Sequence, residues 1–356
     1  MRPLRLAEDG RSITILDQTL LPHEEAWRTL RTVAEVAEAI RAMRVRGAPL
    51  IGVTAAYGLA LAFQDDDSPG AASAAMDTLA ATRPTAVNLR WALGRVARAA
   101  AEAAAGQRAA RALAEATRIA EEDIAACRAI GDHGLAILQR LHREAGGGRP
   151  VRVLTHCNAG WLATLEYGTA LAPVYRAAET GLPVEVWVDE TRPRNQGWLT
   201  AWELGRGGIP HTVVTDNASG HLLQRGEVDI VLVGTDRTAR NGDVCNKVGT
   251  WLKALAADEA GVPFYAAVPS SSIDWSAPDG RAIPIEERGP EEVASVRGRD
   301  AGGRLATIFL GPAGTAVRNI AFDVTPARYL TGLLTERGAC AASEAGLLAL
   351  FPEEGR

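Results

Sequence analysis

Five apolar runs in this sequence end in clusters of side chains able to do acid–base or nucleophilic chemistry. They are His156-Cys157-Asn158, Asp189-Glu190, Asp216-Asn217, Asp236-Arg237 and Ser270-Ser271. A thiol and a carboxyl held together can divide proton removal and proton delivery between them. That singles out Cys157 and Asp236. Three further segments suit an anion. Arg46-Gly47-Ala48-Pro49 reads as the end of one helix and the start of another, with small residues that let N–H groups approach a phosphate beside the Arg46 charge. Arg83-Pro84-Thr85 has the same form. Lys247 of Asn246-Lys247 is one of two lysines in the chain, with Lys253, and lies near the start of a predicted helix. Each residue also has a plainer reading: a packed Cys, a capping Asp, a surface Arg.

The elements that must position these groups follow from the apolar pattern. Runs at 151–154, 184–188, 211–214, 230–233 and 264–268 read as short strands separated by segments long enough for helices. Parallel strands need such crossovers, so the fold class is α/β with a doubly wound, Rossmann-like parallel sheet. Ligands bind open parallel sheets at the carboxyl ends of the strands, where the strand order reverses. With the common order 3-2-1-4-5, strands one and four are neighbours and Cys157 faces Asp236 across the crevice. The preceding chain reads as mostly helical, with helices predicted over 32–46, 84–106 and 107–146. Gly146-Gly147-Gly148-Arg149-Pro150 is the clearest linker, which divides the chain into a helical domain 1–148 and a catalytic domain 149–356. A last helical stretch is predicted from about Pro326 to Leu350.

Composition narrows the function. The chain has 356 residues, 47% of them apolar, and a formal net charge of −5 with no block of five like charges, so neither a nucleic acid nor a membrane surface is expected as partner. The sixteen uncharged residues 48–63 fall short of the roughly 20 that span a bilayer and are interrupted by Pro49, Gly52 and Gly58. No apolar signal region follows Met1-Arg-Pro-Leu-Arg. Cys127, Cys157, Cys245 and Cys340 lie far apart without a CxxC, which predicts no disulfide framework, no structural zinc and a cytoplasmic location. No dinucleotide fingerprint follows the first strand, and no P-loop, HExxH or EF-hand pattern occurs. The expectation is an enzyme with phosphate-friendly features, no cofactor and no metal.

Eight segments appear in order: Arg46-Gly-Ala-Pro-Leu-Ile-Gly52, Arg83-Pro-Thr-Ala-Val-Asn-Leu89, Thr155-His-Cys-Asn-Ala-Gly160, Asp189-Glu-Thr-Arg-Pro193, Gly234-Thr-Asp-Arg237, Asn241-Gly-Asp243, Asn246-Lys-Val-Gly-Thr250 and Phe322-Asp-Val-Thr-Pro326. Together they resemble the methylthioribose-1-phosphate isomerases. Those enzymes belong to a wider family with the regulatory α, β and δ subunits of the initiation-factor-2B exchange factor and archaeal ribose-1,5-bisphosphate isomerases. The resemblance implies an aldose–ketose isomerase of methionine salvage, acting on a small sugar phosphate as a homodimer. It places the proton donor at Asp236 and a base or transition-state stabiliser at Cys157. Substrate contacts fall on Arg46, Gly47, Ala48, Arg83, Gln196, Asn246 and Lys247. The sequence departs from the family pattern twice. Trp161 stands where Ser is usual, and Gln196-Gly197-Trp198-Leu199-Thr200-Ala201 is one residue short. Both changes lie beside presumed substrate positions and bear on the C5 substituent.

The chemistry so implied makes one demand on the pocket. In an aldose 1-phosphate the anomeric oxygen is esterified, so the ring must be opened by protonating the ring oxygen. That suits Asp236 as general acid, in a water-poor apolar pocket that keeps its carboxyl protonated. Hydrogen then moves from C2 to C1, either as a proton through an enolate with Cys157 as base, or as a hydride with Cys157 stabilising charge.

Overall fold

The computed structural model describes residues 1–83, 86–104 and 106–355; Pro84 and Thr85, in the predicted helix start, lie outside them. The chain opens with a short antiparallel sheet of β1 (Leu4–Leu6), β2 (Ile13–Leu16) and β3 (Trp27–Leu30), which the helical expectation for this region did not include. Helix α1 (Val33–Arg41) starts at Thr32, which forms a capping box with Glu35. It ends five residues before the predicted stop. Met43 turns into the left-handed region, Arg44 reaches back to Asp17 at 2.6 Å, and the chain is redirected to present Arg46.

Helix α2 (Ala48–Asp65) is the uncharged run noted above. It is apolar all round because it is buried all round, enclosed by α1, α3 (Pro69–Ala80), α4 (Val87–Ala101) and the 37-residue α5 (Arg108–Glu144). No described helix is long and apolar enough to cross a membrane.

The five predicted strands are β4 (Val151–Thr155), β5 (Val184–Asp189), β6 (His211–Val214), β7 (Ile230–Val233) and, after the hairpin β8 (Arg237–Ala239) and β9 (Val244–Lys247), β10 (Phe264–Ala267). The crossover helices are α6 (Ala172–Glu179), α7 (Gln196–Arg206), α8 (Ala218–Gln224) and α9 (Thr250–Glu259). After β10 come β11 (Ile273–Asp274), α10 (Glu291–Ala294), the hairpin β12 (Ser295–Arg299) and β13 (Leu305–Phe309), then β14 (Phe322–Thr325), β15 (Gly332–Thr335), β16 (Gly338–Cys340) and α11 (Glu344–Leu350). The main sheet runs β16-β15-β10-β7-β4-β5-β6, parallel except for β16 at one edge. Its five predicted strands therefore take the order 3-2-1-4-5. A second, mixed sheet, β11-β8-β9-β14, stands over its carboxyl end.

The predicted helix from Pro326 to Leu350 is broken by β15 and β16, leaving a single 3-10 turn at Ala327–Tyr329 before them and α11 after them. Leu333 and Leu334 are fully buried in register with Ala266 and Ala267 of β10, and burial on both faces of the sheet overrides their helix propensity. One core fills the N-terminal helices. A second, on one face of the main sheet, begins inside α5 at Ile130 and includes Leu135 and Leu138. Gly146 to Gly148 form the exposed turn after α5.

Candidate active site

Strands β4 and β7 are hydrogen-bonded neighbours at the point where the strand order reverses. The segments leaving their carboxyl ends carry Cys157 and Asp236 into one pocket. Arg46, Gly47, Ala48, Arg83, Gln196, Asn246 and Lys247 line the same pocket, so all nine residues singled out from sequence converge there.

Local structure explains why. Cys157 has φ +69 and Thr191 φ +63, conformations that cost a non-glycine residue on the order of 1–3 kcal/mol. A chain of hydrogen bonds holds them. The Cys157 amide donates to Thr191 Oγ1 at 2.8 Å, and the Thr191 and Arg192 amides donate to the Asp216 carboxylate at 2.7 and 2.8 Å. His156 lies behind the loop, its ring nitrogens 2.9 Å from Asp189 Oδ2 and from the Val248 carbonyl. Asp189 and Asp216 thus shape the loop rather than line the pocket. With His156 they make a cluster spaced for a metal. His156 Nδ1, Asp189 Oδ2 and both Asp216 oxygens are engaged within the protein, and Lys253 Nζ sits 3.4 Å from Asp189 Oδ2, while Asp189 Oδ1 is buried without a hydrogen-bond partner. The Asp236 amide donates to the Cys245 carbonyl at 3.0 Å, which fixes its loop to β9.

Gly47, at φ +91, precedes α2 and packs so closely that an added Cβ would fall 2.4 Å from the Ala163 backbone. This contact brings the first turn of α2, whose leading N–H groups have no intrahelical partners, to the pocket wall. Lys247 ends strand β9 rather than opening a helix; it pairs with Phe322 of β14, and its Nζ lies 4.4 Å from that ring's centroid. The hairpin that places it was not legible as strands.

The lining is far more cationic than the apolar pocket expected from the chemistry. Among the described residues Arg46, Arg83, Arg194, Arg237, Lys247 and Arg288 face it, with Asp236 as the one carboxylate. Arg194 and Arg288 were missed: neither belongs to a motif, and Arg288 comes from the irregular chain beyond residue 275. Glu286 holds Arg83 and Arg288 at 3.1 and 3.0 Å, and Glu292 holds Arg194 at 2.6 Å. Burial lowers the pKa of Arg46 and Arg83 and, with the Arg288 charge, brings that of Lys247 down to about 8. The Cys157 thiol is pushed up by burial, against the pull of Lys247 and Arg46. Two buried polar atoms on the wall, Arg83 Nε and Gln196 Oε1, have no hydrogen-bond partner within the protein. Such a site is built for a polar anion with hydroxyl groups.

Trp161 corrects an expectation. Its ring lies 5.6 Å from that of Trp202 in a cluster with Leu16, Leu21, Leu162 and Leu199, and it does not line the pocket. Trp198 of the shortened block is half exposed and also off the wall, while Gln196 opens α7 and reaches it.

The profile of the initiation factor 2 subunit family matches residues 44–342. A methylthioribose-1-phosphate isomerase of Rhodospirillum rubrum is 58% identical over 98% of this chain and 90% of its own. The crystal structure of 5-methylthioribose 1-phosphate isomerase from Pyrococcus horikoshii OT3 superposes with a TM-score of 0.83 at 39% identity, covering 99% of this chain and 96% of that one. Translation initiation factor eIF-2B, subunit delta, from A. fulgidus superposes with a TM-score of 0.80 at 36% identity, covering 99% of both chains.

Proposed function

The chain belongs to the initiation factor 2 subunit family, and on that premise we propose that it is an isomerase converting 5-methylthioribose 1-phosphate to 5-methylthioribulose 1-phosphate, a step of methionine salvage. The convergence of Cys157 and Asp236 on one cation-rich pocket carries this reading, and the relatives named for that activity support it. Asp236 is the group that delivers a proton to the ring oxygen as the C1–O bond breaks. The α2 terminus, Arg46, Asn246 and Lys247 hold the phosphate, while Gln196 and Arg83 offer their unpaired atoms to the sugar hydroxyls. Met43, Ile51, Ile283 and Phe322 supply the apolar lining for the methylthio group.

The state of Cys157 bears on the second step. A thiol raised by burial is a poor resident base, so the favoured route is a shift of hydride from C2 to C1 with the thiol close by. The C2 hydroxyl proton then returns to the Asp236 carboxylate, leaving a ketone and a regenerated acid. The working form is a cytoplasmic homodimer, to be checked by light scattering.

Proton and phosphorus NMR of methylthioribose 1-phosphate in deuterated water, with wild type and Asp236→Asn, tests the proposal. Ketose formation lost in the variant, with no deuterium at C1, is expected. Deuterium at C1 would replace the hydride route by an enolate. No conversion would remove the activity and turn attention to a regulatory subunit like the A. fulgidus protein. Arg194 and Arg288 add two cations to the wall beyond the phosphate contacts named above, the one observation that favours a second substrate reading, ribose 1,5-bisphosphate; a panel including it and 5-deoxyribose 1-phosphate separates the two.

A further inference from the structure

One buried carboxylate adjoins the pocket without lining it. Glu203 of α7 is fully buried. Its Oε1 accepts from Asn158 Nδ2 at 2.8 Å and from the Leu162 amide at 3.0 Å, and its Oε2 accepts from the Tyr175 hydroxyl at 3.1 Å. Because the donors of Asn158 are turned to Glu203 and to Thr200 Oγ1, its carbonyl oxygen must face the other way, toward the pocket. There Asn158 Oδ1 takes one guanidinium nitrogen of Arg46, and the Asn158 backbone carbonyl takes the other at 2.7 Å. Thr200 Oγ1 also donates to the Cys157 carbonyl at 2.9 Å. Gln196, Thr200 and Glu203 are spaced i, i+4 and i+7, so one face of α7 addresses the whole loop after β4. Gly160 closes the arrangement, since a Cβ there would fall 1.9 Å from Glu203 Oε2.

We propose that Glu203 is a positioning residue: by orienting the Asn158 amide it holds Arg46 in the geometry that binds the phosphate of the substrate. The inference rests on the isomerase reading only for the identity of that substrate. It gives the Asn and Gly of the Thr155-to-Gly160 motif a physical purpose, since one is the relay and the other makes room for the carboxylate. Burial pushes the Glu203 carboxyl up to about 7, against the opposing pull of those hydrogen bonds and of Arg46.

The sign of the effect separates this role from simple electrostatics. Removing a negative charge near Arg46 would by itself tighten anion binding, whereas losing the orientation of Arg46 weakens it. Glu203→Gln keeps every acceptor role of Oε1, and its amide can donate to the Tyr175 hydroxyl. Glu203→Met keeps volume and loses the acceptors, and Glu203→Asp keeps the charge and loses the reach. The experiment measures binding of inorganic phosphate by calorimetry, KM and kcat for methylthioribose 1-phosphate, and thermal stability for each variant. The expected result is phosphate binding and KM weakened about tenfold or more in Met and Asp, as for loss of a charge-assisted hydrogen bond, with Gln close to wild type. If Met does not fold, Asp against Gln carries the comparison. Unchanged or tighter phosphate binding in Met and Asp, equal losses in Gln and Asp, or no phosphate binding by wild type would each overturn it. Phosphate binding in the expected order without turnover by wild type would leave the inference standing and remove the isomerase reading.

Discussion

Lys247 is buried in the pocket wall beside Arg288, and the folded protein lowers its pKa from 10.5 to about 8. Replacing it with Met keeps most of the side-chain volume and removes the charge. Below pH 8 the ammonium is protonated in both folded and unfolded chains, and the folded state carries the full penalty of burying it. At 1.36 kcal/mol per pH unit the difference in pKa amounts to about 3 kcal/mol. The contact of the ammonium with Phe322 offsets on the order of 1 kcal/mol in such a calculation, leaving a net gain of about 2 kcal/mol for Lys247→Met at pH 7. With an unfolding entropy of roughly 2 cal/mol/K per residue over this chain, the melting temperature rises by about 3 °C. As pH rises from 8 to 10.5 the native Lys247 loses its proton while the unfolded one keeps it. Wild-type stability therefore climbs and the gap closes. Thermal unfolding of both proteins from pH 7 to 10 tests this, with KM measured in parallel and expected to rise sharply in the variant. A variant less stable at pH 7, or a gap independent of pH, would refute the reasoning.

Gly47→Ala forces a Cβ into the Ala163 backbone at a positive φ and is expected to destabilise by about 3 kcal/mol, measured by urea unfolding. Trp161→Ser restores the residue usual in the resembled family; because Trp161 packs on Trp202 away from the pocket, kcat/KM should stay near wild type while stability falls by about 3–5 kcal/mol. Arg288→Met removes a pocket cation and is expected to raise KM about tenfold with little change in kcat, read from steady-state kinetics.

Much of this site was legible because it rests on a periodic scaffold. The strands β4, β5, β6, β7 and β10 are apolar runs bounded by polar ends, and their order follows from a common topology, so Cys157 and Asp236 converge without knowledge of any contact. What was not legible depends on tertiary placement. Strands β1 to β3 are three or four residues long, too short for alternation to register. The stretch around Leu333 reads as helix until the burial on both faces of β15 is known. Arg194 and Arg288 reach the wall from loops, and Glu203 looks like any polar residue of an amphipathic helix until Gly160 and Asn158 are set against it.

The long helix α5 has a mechanical consequence. Its 37 residues make a beam of about 55 Å whose first half is clamped among the N-terminal helices and whose second half is clamped under the main sheet. A hinge at the glycine turn that follows it would swing nothing, because the second clamp is already made upstream of the turn. Moving one wall of the pocket against the other therefore means bending this helix or shearing one of its packed halves, not turning about a flexible link. Walls joined by a packed beam lose less conformational freedom when a ligand is bound between them than walls joined by a loose linker.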